Sequence, residues 1–405
     1  MSYYKFQGDQ LFTGYELLHT DHVLIVDEKG TVKDIVMATD AGDNIQKVKG
    51  IVTPGLINCH CHLELSHLKN VIPPHTGLIE FLCSVVTKRN FEADMIQEAI
   101  VRAEQEMYHN GIVAVGDICN TVDTVEVKSK SKIRWQNFVE VISVTDEKAE
   151  ENIKQYQAVL EAYNEIRKPR LNDSAGQAKS DPDLAQDRNS LVPHAPYSIS
   201  PKTFKLINEL TNRQIISMHN QEHPAEDELY KTGAGDFLKL FSIFGVNQSP
   251  FPVTGKTSIR SCLPYFQNGQ TIFLIHNTYM PEEDIQWANE YAEQNGLQLV
   301  YCLCPNANLY IENRLPRIDL FIKHKCHLVL GTDSYSSNWQ LSIAKEMQAI
   351  AERRTGTALL DILQWATING ARALHWDDEL GSFEKGKKPG VALVNPDEWK
   401  SKKLI

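Results

Sequence analysis

Short apolar runs alternate with segments of helical spacing through the middle of the chain. Eight such runs occur, and in order they are GLINCHCH, GIVAVGDIC, IRWQNFVEVI, SLVPHAPYS, QIISMHNQE, TIFLIHNTY, LQLVYCLCP and HLVLGTDSY. Between them, EADMIQEAIVRAEQEMYHN, PKTFKLINELTNR and PEEDIQWANEYAEQNG have the apolar spacing of helices. Continuous apolar strands that alternate with helices indicate a parallel sheet buried on both faces. The pattern predicts an α/β fold in which residues 54–374 form a (β/α)8 (TIM) barrel.

The two ends of the chain have a different pattern, rich in strand and turn signals. HVLIVD and TVKDIVMA flank Glu28-Lys29-Gly30, a polar hairpin signal that ends in glycine, and LGSFEKGKKPGVALVNP near the C-terminus is punctuated by glycine and proline. We expect residues 1–53 and 375–405 to pair into a small β-sandwich domain beside the barrel. Residues 171–190 are polar and lack periodicity, so we expect a flexible loop there.

Composition narrows the class of protein. The 405 residues include 41 Lys and Arg against 52 Asp and Glu, a formal charge of −11, which argues against a nucleic-acid partner or a membrane surface. Eight cysteines are too few for a disulfide-stapled secreted domain of this length. The first ten residues are polar where a signal peptide needs an apolar stretch, and no uncharged apolar run approaches the ~18 residues that span a bilayer. We expect a cytoplasmic globular protein with free thiols, and homo-oligomer formation stays open.

Histidines and an aspartate stand at the ends of predicted strands. The first strand ends in His60 and His62, the fifth in His219, the sixth in His276 and the eighth in Asp333. In a barrel of this kind the C-terminal strand ends meet at one face, where catalytic groups gather. Strand alternation places His60 and His62 on the inner face and turns Cys59 and Cys61 toward the helices.

These residue types suit a catalytic metal. Neutral imidazole and carboxylate are ligands that zinc prefers, and a catalytic site leaves one position open for water, so His60, His62, His219 and Asp333 are candidate ligands. Glu222, three residues after His219, could shuttle a proton to a substrate if the chain leaves the strand immediately after His219. The alternative is a solvated acid in an acid-rich segment.

Four segments in combination resemble a known family. VTPGLINCHCHLELS, MHNQE, IHNTY and LGTDSYSSN together resemble the amidohydrolase superfamily, in the branch of cytosine, adenosine-type and aminodeoxyfutalosine deaminases that also includes triazine hydrolases. The resemblance runs almost end to end and implies that His60, His62, His219 and Asp333 hold one divalent metal, with Zn²⁺ expected and Fe²⁺ as the alternative. Two-metal members usually end the fourth strand with a lysine, whereas this chain has His194 nearby.

The resemblance also implies roles for residues around the metal. Glu222 would relay a proton to a ring nitrogen, and His276 and Asp333 would orient and deprotonate a water molecule. His194 would contact substrate, with a buried histidine that caps a loop as the alternative. Three further candidates for substrate contact are Glu64, Glu80 and Arg260, for each of which an exposed position is the alternative.

Two departures from the family pattern bear on the substrate differently. The family often has Ser-Asn after the Cys-Pro of the seventh strand, where this chain has Asn306-Ala307-Asn308, and this departure leaves the substrate open. Pro389-Gly390 replaces the usual Ala-Asp near the C-terminus and lies away from the chemistry.

The combined prediction is a metal-dependent hydrolytic deaminase of a small aminated heterocycle. The substrate would be a purine- or pyrimidine-type base or a nucleoside derivative such as an aminodeoxyfutalosine-like compound, and activated water would displace ammonia. One alternative is the same site acting on another C–N bond or on a C–Cl bond, in a cyclic amide or a chlorotriazine. A non-catalytic binding protein is disfavoured because every ligand position is filled.

Overall fold

The computed structural model describes residues 3–166, 188–211, 213–353 and 356–405. Its strands, in chain order, are β1 (Tyr3–Gln7), β2 (Gln10–Phe12), β3 (Leu17–His19), β4 (His22–Asp27), β5 (Val32–Met37), β6 (Gln46–Lys47), β7 (Ile51–Pro54), β8 (Leu56–Cys61), β9 (Ile112–Cys119), β10 (Arg134–Val141), β11 (Arg188–Pro193), β12 (Ile215–Asn220), β13 (Thr271–His276), β14 (Gln298–Leu303), β15 (Leu328–Leu330), β16 (Val391–Asn395) and β17 (Lys400–Lys403).

The α-helices lie mainly between the strands of the middle region. They are α1 (Leu78–Lys88), α2 (Ala93–His109), α3 (Val125–Lys130), α4 (Ala149–Glu165), α5 (Pro201–Leu210), α6 (Pro224–Thr232), α7 (Phe237–Ile243), α8 (Ser258–Cys262), α9 (Glu282–Asn295), α10 (Pro305–Glu312), α11 (Ile318–Lys323), α12 (Ile343–Glu352), α13 (Leu359–Trp365) and α14 (Ile368–Ala373). Among the described residues, none of these helices combines the length and the apolar character that crossing a membrane requires.

The eight predicted strands of the middle region all form, as β8 to β15. They make two parallel four-stranded sheets, in the orders β11-β10-β9-β8 and β12-β13-β14-β15. Backbone hydrogen bonds also join the two sheets at both edges. The His219 N–H donates to the His194 carbonyl across 2.9 Å, and the Thr332 N–H donates to the His60 carbonyl across 2.9 Å. The C-terminal ends of the strands, which carry the candidate residues, therefore lie together at the same end of the two sheets.

Burial on both faces explains why these strands have continuous apolar sequences. Every residue of β8, β12 and β13 is buried. On β8, one face packs against helix α14, where a Cβ added to Gly370 would lie 3.0 Å from the Cys59 sulfur. Cys59 therefore points toward the helices, as the strand alternation predicted, and His60 has the opposite direction.

The segment predicted as a flexible loop, residues 171–190, lies almost wholly outside the described residues. Its last three residues begin β11 instead, so the loop prediction was wrong for 188–190. These residues pair in parallel with 136–138 of β10, and the Asn137 side chain donates to Asn189 Oδ1 across 2.8 Å. Pairing with a neighbouring strand thus overrides the polar character of this short stretch.

The terminal segments form two further sheets, in the orders β5-β4-β1-β6 and β17-β16-β7-β2-β3. The second sheet combines both ends of the chain, because β16 pairs antiparallel with β7. Buried side chains from the two sheets share one hydrophobic cluster, which includes Phe6, Leu24, Val52 and Leu393.

The predicted hairpin connects β4 to β5, which pair antiparallel. Gly30 adopts a φ of 76°, a left-handed conformation that glycine reaches without steric cost. The Asp27 carboxylate accepts hydrogen bonds from the N–H groups of Lys29 and Thr31, each across 2.9 Å, and so stabilises the turn.

Candidate active site

The histidines and the aspartate predicted at strand ends converge. His60 Nε2 lies 3.2 Å from His62 Nε2, and Asp333 Oδ1 lies 3.6 Å from the first and 3.4 Å from the second. The His219 ring centroid is 5.0 Å from that of His60, and the His276 ring stacks on His219 with a centroid separation of 5.4 Å. Five side chains from four strands therefore meet in one small region.

The chain around β15 is shaped for this convergence. A Cβ added to Gly331 would lie 2.7 Å from the His60 Cβ, so glycine is needed for β8 and the end of β15 to approach each other. Asp333 then adopts a φ of 56°, which turns its side chain out of the strand path. The Ser337 hydroxyl donates to Asp333 Oδ2 across 2.5 Å and leaves Oδ1 toward the histidines.

The electrostatic setting favours a cation among these groups. Burial lowers the pKa of His60, of His62 and of His219, so the imidazoles stay neutral near pH 7. Burial opposes ionisation of Asp333, but His62, His276 and the Ser337 hydroxyl together hold its pKa below the usual value. Neutral imidazoles beside an ionised carboxylate are the protonation states that a metal ligand set needs.

The donor atoms fit a divalent metal. The ligand atoms of His60, His62 and His219 lie within 4.8 Å of one another, as do those of His60, His276 and Asp333. Nδ1 of His60 and Nδ1 of His62 are buried, and no group of the described residues forms a hydrogen bond with either. Two lone pairs that face each other across 3.2 Å repel unless a proton or a cation lies between them. A divalent cation would remove that repulsion.

Glu222 enters the same region by a route that differs from the expected one. Strand β12 continues through Asn220, and the chain turns at Gln221, which has a φ of 41°. The Gln221 N–H donates to Glu226 across 2.6 Å and its side chain donates to Asp284 across 2.7 Å, which stabilises the turn. The expectation that the chain leaves the strand immediately after His219 was therefore wrong by one residue.

The Glu222 carboxyl is buried, with 4% of the residue exposed, so a solvated acid is wrong for this position. Its Oε1 lies 3.7 Å from His276 Nε2. Burial, together with the charge of Asp333, raises the pKa of Glu222 well above its usual value. A carboxyl that keeps its proton near neutral pH can act as a general acid.

His276, beside Glu222, has an unusual backbone conformation and a contact with Asn308. It has a φ of 69°, an uncommon conformation for a residue other than glycine. Its Nδ1 lies 3.4 Å from the Asn308 side-chain nitrogen, which also donates to Thr278. Asn308 belongs to the segment where this sequence departs from the family pattern, so that departure reaches a residue of the site.

Most of the candidate groups line one cavity that opens to solvent, as small-molecule sites do. Its polar wall includes His62, His194, His219, Glu222, His276 and Asp333. An apolar part of the wall comes from α1 and α7, with Leu78, Phe81, Val85, Leu240 and Phe241. The cavity can therefore receive a molecule with both a polar and an apolar part.

His194 combines features of both interpretations given above. Its Nδ1 lies 2.7 Å from the Ser198 hydroxyl, in the short turn that follows β11. Its carbonyl accepts a hydrogen bond from the His219 N–H and lies 2.9 Å from His219 Nδ1. The ring also lines the cavity, so His194 both stabilises a loop and borders the space for a ligand.

A sequence model of the amidohydrolase family matches residues 51–403, which is most of the chain. The chain belongs to the amidohydrolase family. The family predicted from four sequence segments is thereby confirmed.

Two relatives of this amidohydrolase are deaminases by name. It is 25% identical over 366 residues to the 5-methylthioadenosine/S-adenosylhomocysteine deaminase of Thermoanaerobacter pseudethanolicus, with 87% of this chain and 75% of that protein covered. It is 24% identical over 355 residues to the aminodeoxyfutalosine deaminase of Nitratiruptor sp., with 86% and 80% covered.

Solved structures show the same fold. Helicobacter pylori aminofutalosine deaminase in complex with methylthio-coformycin superposes with a TM-score of 0.75 at 20% identity, over 97% of this chain and 92% of that one. The atrazine chlorohydrolase of Arthrobacter aurescens complexed with zinc superposes with a TM-score of 0.71 at 17% identity, over 97% and 87%. The amidohydrolase therefore has the α/β fold of these enzymes.

Glu64 has a structural position in this amidohydrolase. Only 2% of Glu64 is exposed, and its Oε2 accepts hydrogen bonds from the N–H groups of Asn120 and Thr121 and from the Thr121 hydroxyl, each across 3.0 Å. It does not line the cavity. Both predictions for Glu64, a substrate contact and an exposed loop acid, were therefore wrong, because the loop after β9 uses its carboxylate.

Glu80 and Arg260 also lie outside the cavity wall. Glu80 is exposed on α1, on the face turned away from the buried Leu78 and Phe81. Arg260 pairs with Asp284 across 2.6 Å. Since Asp284 also accepts a hydrogen bond from the Gln221 side chain, Arg260 supports the turn at Gln221. Neither residue borders the cavity, and the exposed position given as the alternative holds for Glu80.

Sequence inspection missed Glu140, at the C-terminal end of β10. The residue is 2% exposed and lines the cavity, and burial raises its pKa to about 8. Its Oε1 lies 3.5 Å from His219 Nδ1. The signal was present in the sequence, because an acid near the end of a continuous apolar strand is rarely buried without a partner or a function.

Proposed function

We propose that this amidohydrolase is a metal-dependent hydrolytic deaminase of an aminated heterocycle, such as a purine nucleoside derivative. The observation that carries the proposal is the buried Glu222 carboxyl, 3.7 Å from His276 and in the same cavity as His62, His219 and Asp333. Hydrolytic deamination of a ring needs a nucleophile at the amino-bearing carbon and a proton at the adjacent nitrogen. The deaminase relatives at 25% and 24% identity support the same assignment.

His60, His62, His219 and Asp333 would hold one divalent metal, zinc in the first place and Fe²⁺ as the alternative. When bound, such a metal lowers the pKa of water from about 15.7 toward about 7 and so supplies a nucleophile at neutral pH. The imidazole and carboxylate donors support zinc. A single metal is supported because the fourth strand, β11, ends at Pro193 and is followed by His194, with no lysine there to bridge a second ion.

Residues of the chain would carry out the proton transfers. Water adds to the amino-bearing carbon, and His276 and Asp333 accept the proton that the water loses. Glu222 gives its proton to the adjacent ring nitrogen, which keeps negative charge from accumulating on the ring. The carbon–nitrogen bond then breaks as the amino group takes the proton that His276 and Asp333 accepted, and it leaves as ammonia. The new hydroxyl on the carbon returns a proton to Glu222 as the carbonyl forms. His194 would border the bound substrate.

The architecture would follow that of the relatives. The two parallel sheets would form one closed (β/α)8 barrel over residues 54–374, which is supported by the hydrogen bonds at both sheet edges. Residues 1–53 and 375–405 would form a small β-sandwich, which is supported by the shared cluster between the terminal sheets. The cysteines of the described chain are free thiols, which supports a reducing compartment such as the cytoplasm.

A substrate panel tests the proposal. Ammonia release is measured with the zinc-loaded protein over aminopurines, aminopyrimidines and their nucleosides, beside a chlorotriazine and a cyclic amide, and the Asp333→Ala protein controls for contaminating deaminases. We expect ammonia from at least one aminated purine or nucleoside. Release of chloride or opening of the cyclic amide, without ammonia, would assign the alternative hydrolase. No turnover of any compound would indicate a non-catalytic protein.

A further inference from the structure

Glu140 is a cavity-wall residue that the proposed reaction does not use. It ends β10 next to the residues from β8 and β12. Asn120 fixes its orientation, because the Asn120 side-chain nitrogen donates to Glu140 Oε2 across 3.2 Å and to the Glu140 carbonyl across 2.9 Å. One carboxylate oxygen is thus bound to the protein and the other is turned away from Asn120.

That second oxygen, Oε1, accepts no hydrogen bond from the described chain. The nearest ionisable nitrogen is His219 Nδ1 at 3.5 Å. This nitrogen lies only 2.9 Å from the His194 carbonyl, which accepts its hydrogen. Glu140 borders the cavity, so Oε1 is open to a hydrogen-bond partner from a ligand.

We propose that Glu140 is a specificity-determining residue whose Oε1 forms a hydrogen bond with a hydroxyl group of the substrate. The proposal rests on the proposed deaminase function. Because the Nδ1 side of His219 faces Glu140, Glu140 lies across that ring from the Nε2 side that would face the metal. The group that reaches Glu140 is therefore separate from the reacting amino group, as a sugar hydroxyl of a nucleoside is.

The charges in the cavity determine which kind of substrate group can bind to Glu140. Asp333 borders the same space, and its negative charge disfavours a phosphate or carboxylate on the substrate. Arg89 also lines the cavity, but its guanidinium lies 3.7 Å from Glu64 and is partly compensated there. A neutral hydroxyl satisfies Oε1 without bringing a further negative charge.

A second cation is the competing occupant. The ligand atoms of Glu140, His194 and His219 lie within 4.8 Å of one another. Nδ1 of His194 and Nδ1 of His219 are both already paired, with the Ser198 hydroxyl and the His194 carbonyl respectively. These hydrogen bonds leave too few free ligand atoms on the Nδ1 side of His219 to bind a second metal ion.

Glu140→Gln tests the assignment because Asn120 dictates how glutamine sits. The Asn120 nitrogen needs an acceptor, so the glutamine oxygen takes the place of Oε2 and its NH₂ group takes the place of Oε1. The carboxyl oxygen that faces the cavity is replaced by an amide NH₂ group, which cannot accept a hydrogen bond, with little change in volume. Glu346→Gln is the matched control, since Glu346 is equally buried and bound by asparagine side chains but does not line the cavity.

The measurement is kcat/KM for a nucleoside that the wild-type protein deaminates, and for analogues of that nucleoside that each lack one sugar hydroxyl. For the parent nucleoside we expect Glu140→Gln to lower kcat/KM by about 10- to 100-fold. For one deoxy analogue, kcat/KM of the wild-type protein and of Glu140→Gln should differ by less than about threefold, since that analogue lacks the hydroxyl that contacts Glu140. Glu346→Gln should leave the ratio between nucleoside and deoxy analogue as in the wild type, and the zinc content of Glu140→Gln should be unchanged.

Three results would overturn the assignment. Glu140→Gln could lower kcat/KM equally for every analogue, leave all values unchanged, or lose metal. Loss of metal would assign Glu140 to the ligand set. If the wild-type protein releases ammonia from bases only and from none of the nucleosides, Glu140 has no sugar hydroxyl to bind and the deaminase function stands. If it releases no ammonia at all, both proposals fail.

Discussion

Glu222→Gln separates proton transfer from the other roles open to Glu222, because glutamine keeps the size of glutamate and cannot deliver a proton. The side chain is buried beside His276, where an amide can still form hydrogen bonds. We therefore expect the variant to fold, to bind its metal and to bind substrate, while the chemical step becomes slow.

The structure sets the size of the expected loss. Of the other carboxyls of the cavity wall, Asp333 has a lowered pKa and is ionised among the histidines, and Glu140 lies on the Nδ1 side of His219. Neither is therefore placed to replace Glu222 as the acid. The full contribution of a general acid should be lost, which is about 100-fold or more in kcat. A 100-fold loss corresponds to about 2.7 kcal/mol of transition-state stabilisation.

The assay combines metal content, substrate affinity and kcat of the purified variant. Glu228→Gln is a matched control, because Glu228 is an exposed acid of the same segment and its loss should change kcat by less than about threefold. A rate of Glu222→Gln within about threefold of the wild type would remove Glu222 from the mechanism. A fall in metal content that parallels the rate would instead make Glu222 a ligand.

Three further substitutions test the positions of buried groups. Asp333→Ala should lower metal content and abolish ammonia release, and normal turnover of this variant would contradict its assignment as ligand and base. Cys61→Ala should keep the metal and cost about 1 kcal/mol of unfolding free energy, as expected for losing one buried atom. His62→Ala should lose the metal. The reverse pattern would show that the two faces of the strand are inverted. Lys128→Met should cost about 3–5 kcal/mol by urea denaturation, because the buried Asp117 carboxylate, 2.5 Å from the Lys128 ammonium, would lose its counter-charge and keep only hydrogen bonds such as the one from the Leu63 N–H. An unchanged midpoint would contradict that ion pair.

The strands and the metal-ligand candidates could be predicted because both depend on local sequence. A strand buried on both faces has a continuous apolar sequence, and a side chain at the end of such a strand has few places to go. His60 and His62 follow from alternation alone. The loop prediction failed at 188–190, because the partner strand that pairs with these polar residues is about 50 positions away in sequence.

Roles that depend on tertiary partners could not be predicted in this way. Glu64 and Arg260 lie close in sequence to the site or to its loops, yet each is bound by residues from another segment. Glu140 has no motif around it, and only the fold places it beside His219. Sequence proximity therefore identified which loops border the cavity, but not which of their charged side chains face it.

Chelation followed by metal titration tests the proposed single-metal hydrolysis most directly. Ammonia release from a substrate found in the panel is measured on chelator-treated protein as zinc is added back, with metal per chain determined on the same samples. We predict that activity is lost on chelation and returns linearly until one zinc is bound per chain, because His60, His62, His219 and Asp333 offer one ligand set. Full activity without metal, or a requirement for two tightly bound ions per chain, would contradict the single-metal mechanism.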